Sequence, residues 1–180
     1  FNRLDSIKRL LHSLSKAYYE SEVTLIISID KSNNSELSLQ LALTDNGLRT
    51  LYVSGEESAE QIKMRASRLG IHNQECTVFT ETLLENIVTQ IEELRPDVVI
   101  IDSIQTMSSD LVESSAGSVT QIRECAATML KVAKTLGITI FIIGHITKDG
   151  SIAGPKILEH IVDVVLQFEG DGNHTYRILR

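Results

Sequence analysis

Polar side chains stand at the ends of three apolar runs that resemble strands of a parallel sheet. Asp102 ends one of these runs, Glu56 follows a second and His145 follows a third. In nucleotide hydrolases, a carboxylate like the first lies beside bound Mg²⁺, and a neighbouring glutamate can deprotonate an attacking water. Because the carboxyl ends of parallel strands face one crevice, these three side chains predict a single site.

Each of these residues also has a purely structural interpretation. Strands in many α/β proteins end in Asp without any catalytic role. Glu56 and the adjacent Glu57 would both favour the positive end of a helix that follows them. A lone His such as His145 is usually solvated or hydrogen-bonded. Taken singly, each residue leaves both interpretations open.

The stretch after the first predicted strand lacks the residues of a phosphate-binding loop. Such a loop needs glycines, so that backbone N–H groups can approach the phosphate oxygens, and a lysine at its end. Residues 26–36 read IISIDKSNNSE, and none of the ten glycines comes before Gly47. The pattern GxxxxGK followed by Ser or Thr is therefore absent.

Hydrophobic periodicity and stop signals divide the chain into alternating strands and helices. Ser58 with Gln61, and Ser118 with Gln121, predict capping boxes at the starts of two helices. The predicted helices span residues 5–19, 35–45, 58–69, 83 to near 96, 118–136 and 157–160, and the predicted strands span 23–29, 50–54, 76–79, 98–102, 138–144, 162–169 and 174–180.

This order of elements predicts an α/β fold. Repeated strand-then-helix units favour a mostly parallel central sheet with helices on both faces. Residues 170–173 read GDGN and predict a turn between the last two strands, so an antiparallel hairpin should finish the sheet. The polar loops at 103–116 and 145–154 are long enough to be functional.

Composition limits the class of protein. With 180 residues, 42% of them hydrophobic, the chain is expected to form one domain. Its apolar runs are too short to span a bilayer and no apolar signal segment opens it, which predicts a cytoplasmic protein with no membrane partner. A net charge of −7 means that any nucleic-acid contact must come from a few local cations. Cys76 and Cys125 match no metal spacing and are expected to be free thiols.

Four ordered blocks of sequence resemble one known family. They read LYVSGEES, VVIIDSIQT, GSVTQIRE and GHITKDGSIAGPKILEHIVDVVLQFEG. In this order and at this spacing they resemble the RadA, or Sms, family of bacterial DNA-repair ATPases, over roughly residues 48–180. The resemblance implies a RecA-like P-loop NTPase fold.

The resemblance also implies roles for the residues at the strand ends. Asp102 matches the Walker B carboxylate that contacts Mg²⁺, and Glu56 matches the glutamate that activates water. His145 matches the position that senses the terminal phosphate. ATP and Mg²⁺ are therefore the cofactors that the resemblance implies for this site.

Two loops match the segments that face single-stranded DNA in the family. These are residues 103–116 and 146–155, with Lys148 and Lys156 as the implied phosphate contacts. Family members form hexameric rings and act in DNA repair and recombination. They also carry a zinc module and a Lon-like domain; neither is expected within residues 1–180, which are read as a single RecA-like core that could be monomeric on its own.

The phosphate-binding segment departs from the family pattern. Aligned on the following helix, Asn34 takes the position of the P-loop lysine. Ser35 keeps a hydroxyl that could reach Mg²⁺, but Glu36 replaces a threonine. Lys31 is a candidate substitute cation. These changes predict that ATP binding and hydrolysis are weakened or lost.

Three functions follow from these departures. The chain is a RadA-type ATPase core with weak or lost hydrolysis, a non-catalytic pseudo-ATPase that keeps subunit or DNA contacts, or an α/β scaffold with neither role. Residues 1–22 also depart from the family, because they predict a helix where relatives have a glycine-rich turn. Natural divergence and engineering both explain such changes.

Overall fold

The computed structural model describes residues 25–30, 47–69, 73–146, 157–170 and 177–179. Strands β1 to β7 span Leu25–Asp30, Thr50–Ser54, Cys76–Thr80, Val98–Asp102, Thr139–Ile146, Val164–Gly170 and Arg177–Leu179. Helices α1 to α3 span Ala59–Leu69, Leu84–Leu94 and Val119–Leu136, and a 3₁₀ helix spans Ile104–Thr106. The predicted helices at 5–19 and 35–45 lie outside the described residues.

The strands form one seven-stranded sheet in the order β3-β2-β4-β5-β1-β6-β7. Neighbouring strands from β3 to β6 pair in parallel, and β7 pairs with β6 in the antiparallel sense. The prediction of a mostly parallel sheet that ends in an antiparallel hairpin is therefore confirmed. The turn predicted at 170–173 is described only at Gly170.

The core lies where the central strands meet α2 and α3. Alternate residues of β2, β4 and β5 point to this face, and the hydrophobic side chains of both helices cover them. The buried members include Leu51, Val53, Val99, Ile101, Ile140, Ile142, Ile87, Ile91, Ile122 and Met129.

The chain places α1 on the opposite face of the sheet. It runs outward from β2 to β3 through α1 and then back to β4 through α2. Since such crossovers are right-handed, α1 and α2 lie on opposite faces. Ile62 of α1 is buried there, outside the core formed with α2 and α3. Tyr52 and Ile100 point to this second face.

The predicted stop signals of two helices are confirmed. Gly137 has a φ of 67° after the last residue of α3, and its N–H donates to the carbonyl of Ala133. α2 ends at Leu94 as expected from Pro96. Its cap is Arg95, which takes the left-handed conformation without being a glycine, with a φ of 48°.

The capping box predicted at Ser58 forms with both of its hydrogen bonds, whereas the one predicted at Ser118 forms with only one of the two. The Ser58 N–H donates to Gln61 Oε1 at 2.9 Å, and the Gln61 N–H donates to Ser58 Oγ at 3.3 Å. At α3 the Gln121 N–H donates to Ser118 Oγ at 3.3 Å. The side chain of Gln121 turns instead toward the preceding loop, where buried backbone groups need partners.

Two other local predictions were only partly right. Residues 103–116 do not form a polar loop throughout, because their first part folds into the 3₁₀ helix and buries Ile104 and Met107 in the core. Of the short helix predicted at 157–160, Ile157 is 3₁₀-helical and the residues after it form a turn, in which the N–H groups of Ile161 and Val162 both donate to the carbonyl of Leu158.

The two cysteines are free, as predicted. Burial raises the pKa of the Cys76 thiol to about 11. Burial, followed by the charges of Glu85 and Glu124, raises the pKa of Cys125 to about 12. Both thiols therefore stay protonated at neutral pH, which makes them poor nucleophiles. No helix in the described part of the chain is long and apolar enough to cross a membrane.

Candidate active site at the carboxyl edge of the sheet

The strands that precede the candidate residues are neighbours in the sheet. β4 lies between β2 and β5, and Asp102 is in register with Ser54 on one side and Ile143 on the other. Glu56 lies just beyond the end of β2, and His145 lies two residues beyond Ile143 on β5. The structure thus brings all three positions to the same edge of the sheet.

The carboxylate of Asp102 is buried and hydrogen-bonded. The side chain of Tyr52 points to the same face of the sheet, and its O–H donates to Asp102 Oδ2 at 2.5 Å. Asp102 is 5% exposed and Tyr52 is 1% exposed. This hydrogen bond fixes the orientation of the carboxylate.

A second carboxylate is held by the residue that follows Asp102. Ser103, which a cis peptide bond joins to Asp102, is fully buried. Its O–H donates to Glu56 Oε1 at 2.8 Å, and the Thr106 O–H donates to the Ser103 carbonyl at 2.8 Å. The side chain of Glu56 itself is exposed at the edge of the sheet. The site therefore has one buried carboxylate and one that faces solvent with a defined orientation.

Glu56 and Glu57 have different environments. Glu57 Oε1 accepts a hydrogen bond from Arg65 Nη1 of α1 at 2.6 Å, and both side chains are partly buried. The Glu57 N–H donates to Ser54 Oγ at 3.1 Å. Glu57 thus ties the end of β2 to α1, whereas Glu56 contacts the end of β4. This separation favours the catalytic interpretation for Glu56 and the structural one for Glu57.

Gly55 lets the ends of β2 and β4 approach each other. Its N–H donates to the Asp102 carbonyl at 3.0 Å. A Cβ at this position would lie 2.1 Å from Thr106 Oγ1 and 2.8 Å from Thr106 Cβ. Any larger residue here would therefore push the 3₁₀ helix away from the site.

Sequence reasoning assigned no role to Tyr52 or Gly55, and it did not connect Ser103 with Glu56. Because side chains alternate along β2, Tyr52 lies on the same face as Ser54, which is in register with Asp102. That signal becomes useful only once β2 and β4 are known to be neighbours. The contact of Gly55 with Thr106 depends on the 3₁₀ helix, which the sequence did not predict.

Gln121 anchors the loop between the site and α3. Its side-chain amide nitrogen lies 3.0 Å from the carbonyl oxygens of Ser109 and Val112 and 3.1 Å from that of Ser114. Its Oε1 accepts the Ser109 N–H at 2.9 Å, and the side chain is 1% exposed. The Ser109 O–H donates to Glu85 Oε1 of α2 at 2.5 Å. The loop is therefore tied to both helices.

The tip of this anchored loop carries no cation. Residues 103–116 contain neither Lys nor Arg. Asp110 and Glu113 are exposed there, and Leu111 is 82% exposed. A nucleic-acid phosphate would be repelled by these two negative charges. Phosphate contacts are therefore favoured at other parts of the protein surface.

Several predicted site residues lie outside the described part of the chain. They are Lys31, Asn34, Ser35, Lys148 and Lys156. For His145 the structure describes the backbone position, which is in register with Ile29 of β1, but not the side chain. β1 ends at Asp30, so the predicted phosphate segment begins at the same edge of the sheet.

The donor set at this edge suits a hard cation held together with phosphate. Within the described ranges, no group of three His, Cys, Asp or Glu side chains could hold a metal ion. The residues next to Asp102 supply oxygen atoms: the hydroxyl of Ser54, which is in register with it, the hydroxyl of Ser103, which follows it, and the carboxylate of Glu56, which is hydrogen-bonded to Ser103. Mg²⁺ is usually bound by one or two carboxylates plus substrate phosphates and water. These residues therefore fit Mg²⁺ that arrives with a nucleotide.

Sequence comparison identifies similar proteins. A family model described as "AAA domain" matches residues 35–151, which is more than half of the chain. The DNA repair protein RadA of Bacillus subtilis is 54% identical over 145 residues, covering 81% of this chain and 31% of the relative. RadA of Halalkalibacterium halodurans is 49% identical over 181 residues, covering 99% and 40%. The chain thus spans less than half the length of these relatives.

Structural comparison bears on the fold alone. A KaiC-like protein from the hyperthermophilic archaeon Pyrococcus horikoshii superposes with a TM-score of 0.68. The alignment covers 88% of this chain and 77% of the other, with 15% sequence identity. The prediction of an α/β, RecA-like P-loop fold is confirmed.

Proposed function

Because this chain belongs to the AAA domain family and is a RadA-like protein of the RecA type, we propose that it is the nucleotide-binding core of a DNA-repair ATPase. Its substrate in this proposal is ATP with Mg²⁺, and single-stranded DNA is its partner. The observation that supports the proposal most strongly is the hydrogen bond to Glu56 from Ser103, the residue that follows the buried Asp102.

In this proposal, each residue at the edge of the sheet has a separate role in hydrolysis. Bound Mg²⁺–ATP supplies the phosphoryl group, and the cation neutralises part of its charge. Asp102 would hold the cation through its carboxylate. Glu56 orients the attacking water and accepts its proton, since its exposed carboxylate is held in one orientation by Ser103. His145 is assigned the position nearest the terminal phosphate.

In this proposal, the altered phosphate-binding segment weakens the binding of ATP. The family match begins at residue 35, so it does not include the preceding residues where relatives would hold phosphate. Asn34 stands in the position of the lysine, and Glu36 adds a negative charge. One charge pair at about 4 Å is worth about 4 kcal/mol at an effective dielectric of about 20, which weakens ATP binding by orders of magnitude.

Calorimetric titration of the 180-residue chain with Mg²⁺–ATP tests this proposal. We expect a dissociation constant of about 1 mM, equivalent to about −4 kcal/mol. Slow phosphate release should increase when single-stranded DNA is added. The control is the same titration with ATP and EDTA, where the affinity should fall. Absence of both binding and turnover would contradict an ATPase function.

The second candidate is a pseudo-ATPase that keeps the fold for subunit or DNA contacts. The missing pattern GxxxxGK followed by Ser or Thr favours it directly. It predicts no turnover even with DNA, together with DNA binding that ATP does not change. The titration and the phosphate-release assay therefore separate the two candidates.

DNA contact in this proposal comes from Lys148 and Lys156. The anchored loop at 103–116 is acidic, so Lys148 in the second loop and Lys156 directly after that loop are the better phosphate contacts. Replacing both by Ala should weaken single-stranded DNA binding and reduce the slope of log affinity against log salt by about 1.4, at about 0.7 per contact. Fluorescence anisotropy over a salt series measures both quantities.

The matched control for these lysines is Lys134→Ala, an exposed lysine on α3. It should leave the affinity and the salt slope unchanged. Equal losses in the control and the double variant would indicate only a general charge effect, and no loss in either would contradict the assignment. The hexameric ring, the cytoplasmic location and the single-domain organisation stay predictions.

A further inference from the structure

Thr106 lies in the 3₁₀ helix that follows β4, and its side chain is directed toward the end of β2. Ile104 at the start of this helix and Met107 at its end are buried in the core and fix the helix against the sheet. A Cβ built at Gly55 would lie 2.1 Å from Thr106 Oγ1 and 2.8 Å from Thr106 Cβ. The side chain of Thr106 therefore packs directly against Gly55, the residue before Glu56.

The same side chain fixes the backbone of Ser103. The Thr106 O–H donates to the Ser103 carbonyl at 2.8 Å, and the Thr106 N–H donates to the same oxygen at 3.2 Å. Ser103 is fully buried and has an extended backbone, with a φ of −116° and a ψ of 163°. The two hydrogen bonds restrict rotation next to the Cα of Ser103, and so they restrict how that residue presents its side chain.

Ser103 in turn holds the carboxylate of Glu56. Its O–H donates to Glu56 Oε1 at 2.8 Å, and the side chain of Glu56 is exposed. An exposed glutamate has many rotamers, so its orientation depends on how firmly its hydrogen-bond donor is held. Thr106 thus contacts the residue that precedes Glu56 in the chain and also the residue that donates to its carboxylate.

A hydrogen bond from a threonine hydroxyl to a nearby carbonyl is common in helices and is usually only local. Thr89 of α2 makes such a bond, because its O–H donates to the Glu85 carbonyl at 2.9 Å. Thr89 is exposed on its helix, whereas Thr106 is partly buried against the end of β2. The position of Thr106 therefore gives an ordinary local bond a connection to the candidate base.

We propose that Thr106 is a positioning residue for Glu56. By holding Ser103, it keeps the carboxylate of Glu56 in the orientation in which that group accepts a proton from the attacking water. The inference rests on the proposed function, in which Glu56 is the general base. It goes beyond that function by assigning to Thr106 an effect on the rate of the chemical step and none on the binding of ATP.

Thr106→Ala and Thr106→Ser separate the hydroxyl from the rest of the side chain, since Ala removes it without adding bulk and Ser retains it. Phosphate release by the 180-residue chain is measured at saturating Mg²⁺–ATP with single-stranded DNA, and ATP affinity is measured by calorimetry. Thr106→Ala should lower kcat by about tenfold with unchanged affinity, and Thr106→Ser should stay within about twofold of the parent. Thr89→Ala removes the same type of hydrogen bond and should change neither quantity.

A double-mutant cycle distinguishes positioning from a general disturbance of the fold. If Thr106 acts through Ser103, then Thr106→Ala in the Ser103→Ala background should lower kcat by less than about twofold further. A loss that stays about tenfold in that background, or a parallel loss of ATP affinity, overturns the inference.

Crystal structures of the nucleotide-free parent and Thr106→Ala test the geometry independently of turnover. In the variant, the distance between Ser103 Oγ and Glu56 Oε1 should exceed about 3.5 Å, so that the hydrogen bond is lost. A retained bond overturns the inference. If Thr106→Ala does not fold, Thr106→Val removes the hydroxyl at nearly the same volume, and the same results are expected from it.

The parent chain separates failure of the inference from failure of the proposed function. If the parent hydrolyses ATP and Thr106→Ala hydrolyses it equally fast, the inference alone is overturned. If the parent neither binds nor hydrolyses ATP, the proposed function is wrong and the inference fails with it.

Discussion

Glu56→Gln is expected to lower the rate of ATP hydrolysis with single-stranded DNA by about 10²–10⁴-fold, the usual contribution of a positioned general base. The amide keeps the size of the side chain and can still accept the hydrogen bond from Ser103, but it cannot take a proton from water. ATP affinity should change little, because Glu56 acts on water rather than on the nucleotide. Phosphate release at saturating ATP measures the effect.

Glu57→Gln is the matched control for this change. Glu57 is the next residue, yet it pairs with Arg65 of α1 rather than with the end of β4. Its replacement should leave turnover within about twofold, because Glu57 contacts Arg65 and has no role in activating water in this proposal. Equal turnover in the parent and Glu56→Gln would contradict the role of Glu56 as the base.

Ser103→Ala tests whether the hydrogen bond to Glu56 matters for turnover. We expect a loss of about tenfold in the parent, as for one charge-assisted hydrogen bond. In the Glu56→Gln background the same change should have almost no effect, because the group that it positions can no longer act as a base. A non-additive cycle of this kind shows that the two residues act together.

Gln121→Leu is expected to lower the free energy of unfolding by about 2–6 kcal/mol. The change leaves the buried Ser109 N–H and carbonyl without their partner, and each such group costs about 1–3 kcal/mol. The carbonyls of Val112 and Ser114 lose the same partner but lie in partly exposed backbone. Urea unfolding followed by circular dichroism measures the loss.

Gln74→Leu is the control for Gln121. Gln74 is exposed, so the same substitution there should change stability by less than about 0.5 kcal/mol. A similar small change at Gln121 would contradict its role as the anchor of the loop. Because this loop also contains Ser103 and the 3₁₀ helix, Gln121→Leu should lower turnover as well.

The alternation of strands and helices could be predicted because each element carries its own local signal. The apolar run of β4 indicates a strand buried on both faces, and Gly137 marks the end of α3 in the expected left-handed conformation. Strand ends at one edge of a parallel sheet follow from this order. For that reason the sequence alone predicts that Glu56, Asp102 and His145 lie at the same edge of the sheet.

Local signals failed where a residue had two possible partners. Gln121 stands three residues after Ser118, which predicts a capping box, but its side chain reaches Ser109 and Val112 instead. The buried loop needs partners for its backbone groups more than the exposed end of α3 needs a second cap. Nothing in the spacing of the residues reports this competition.

The sequence by itself determined the class of fold, the family and the edge of the sheet at which its chemistry would lie, because these depend on periodic patterns and on motifs that are continuous along the chain. Only the tertiary structure decided that Tyr52 donates a hydrogen bond to Asp102, that Ser103 donates one to Glu56, and that Glu57 forms a salt bridge with Arg65. The first two contacts join residues about fifty positions apart, and the third depends on how α1 packs on the sheet. The physical reason is that strand pairing and packing choose the partner of each polar group.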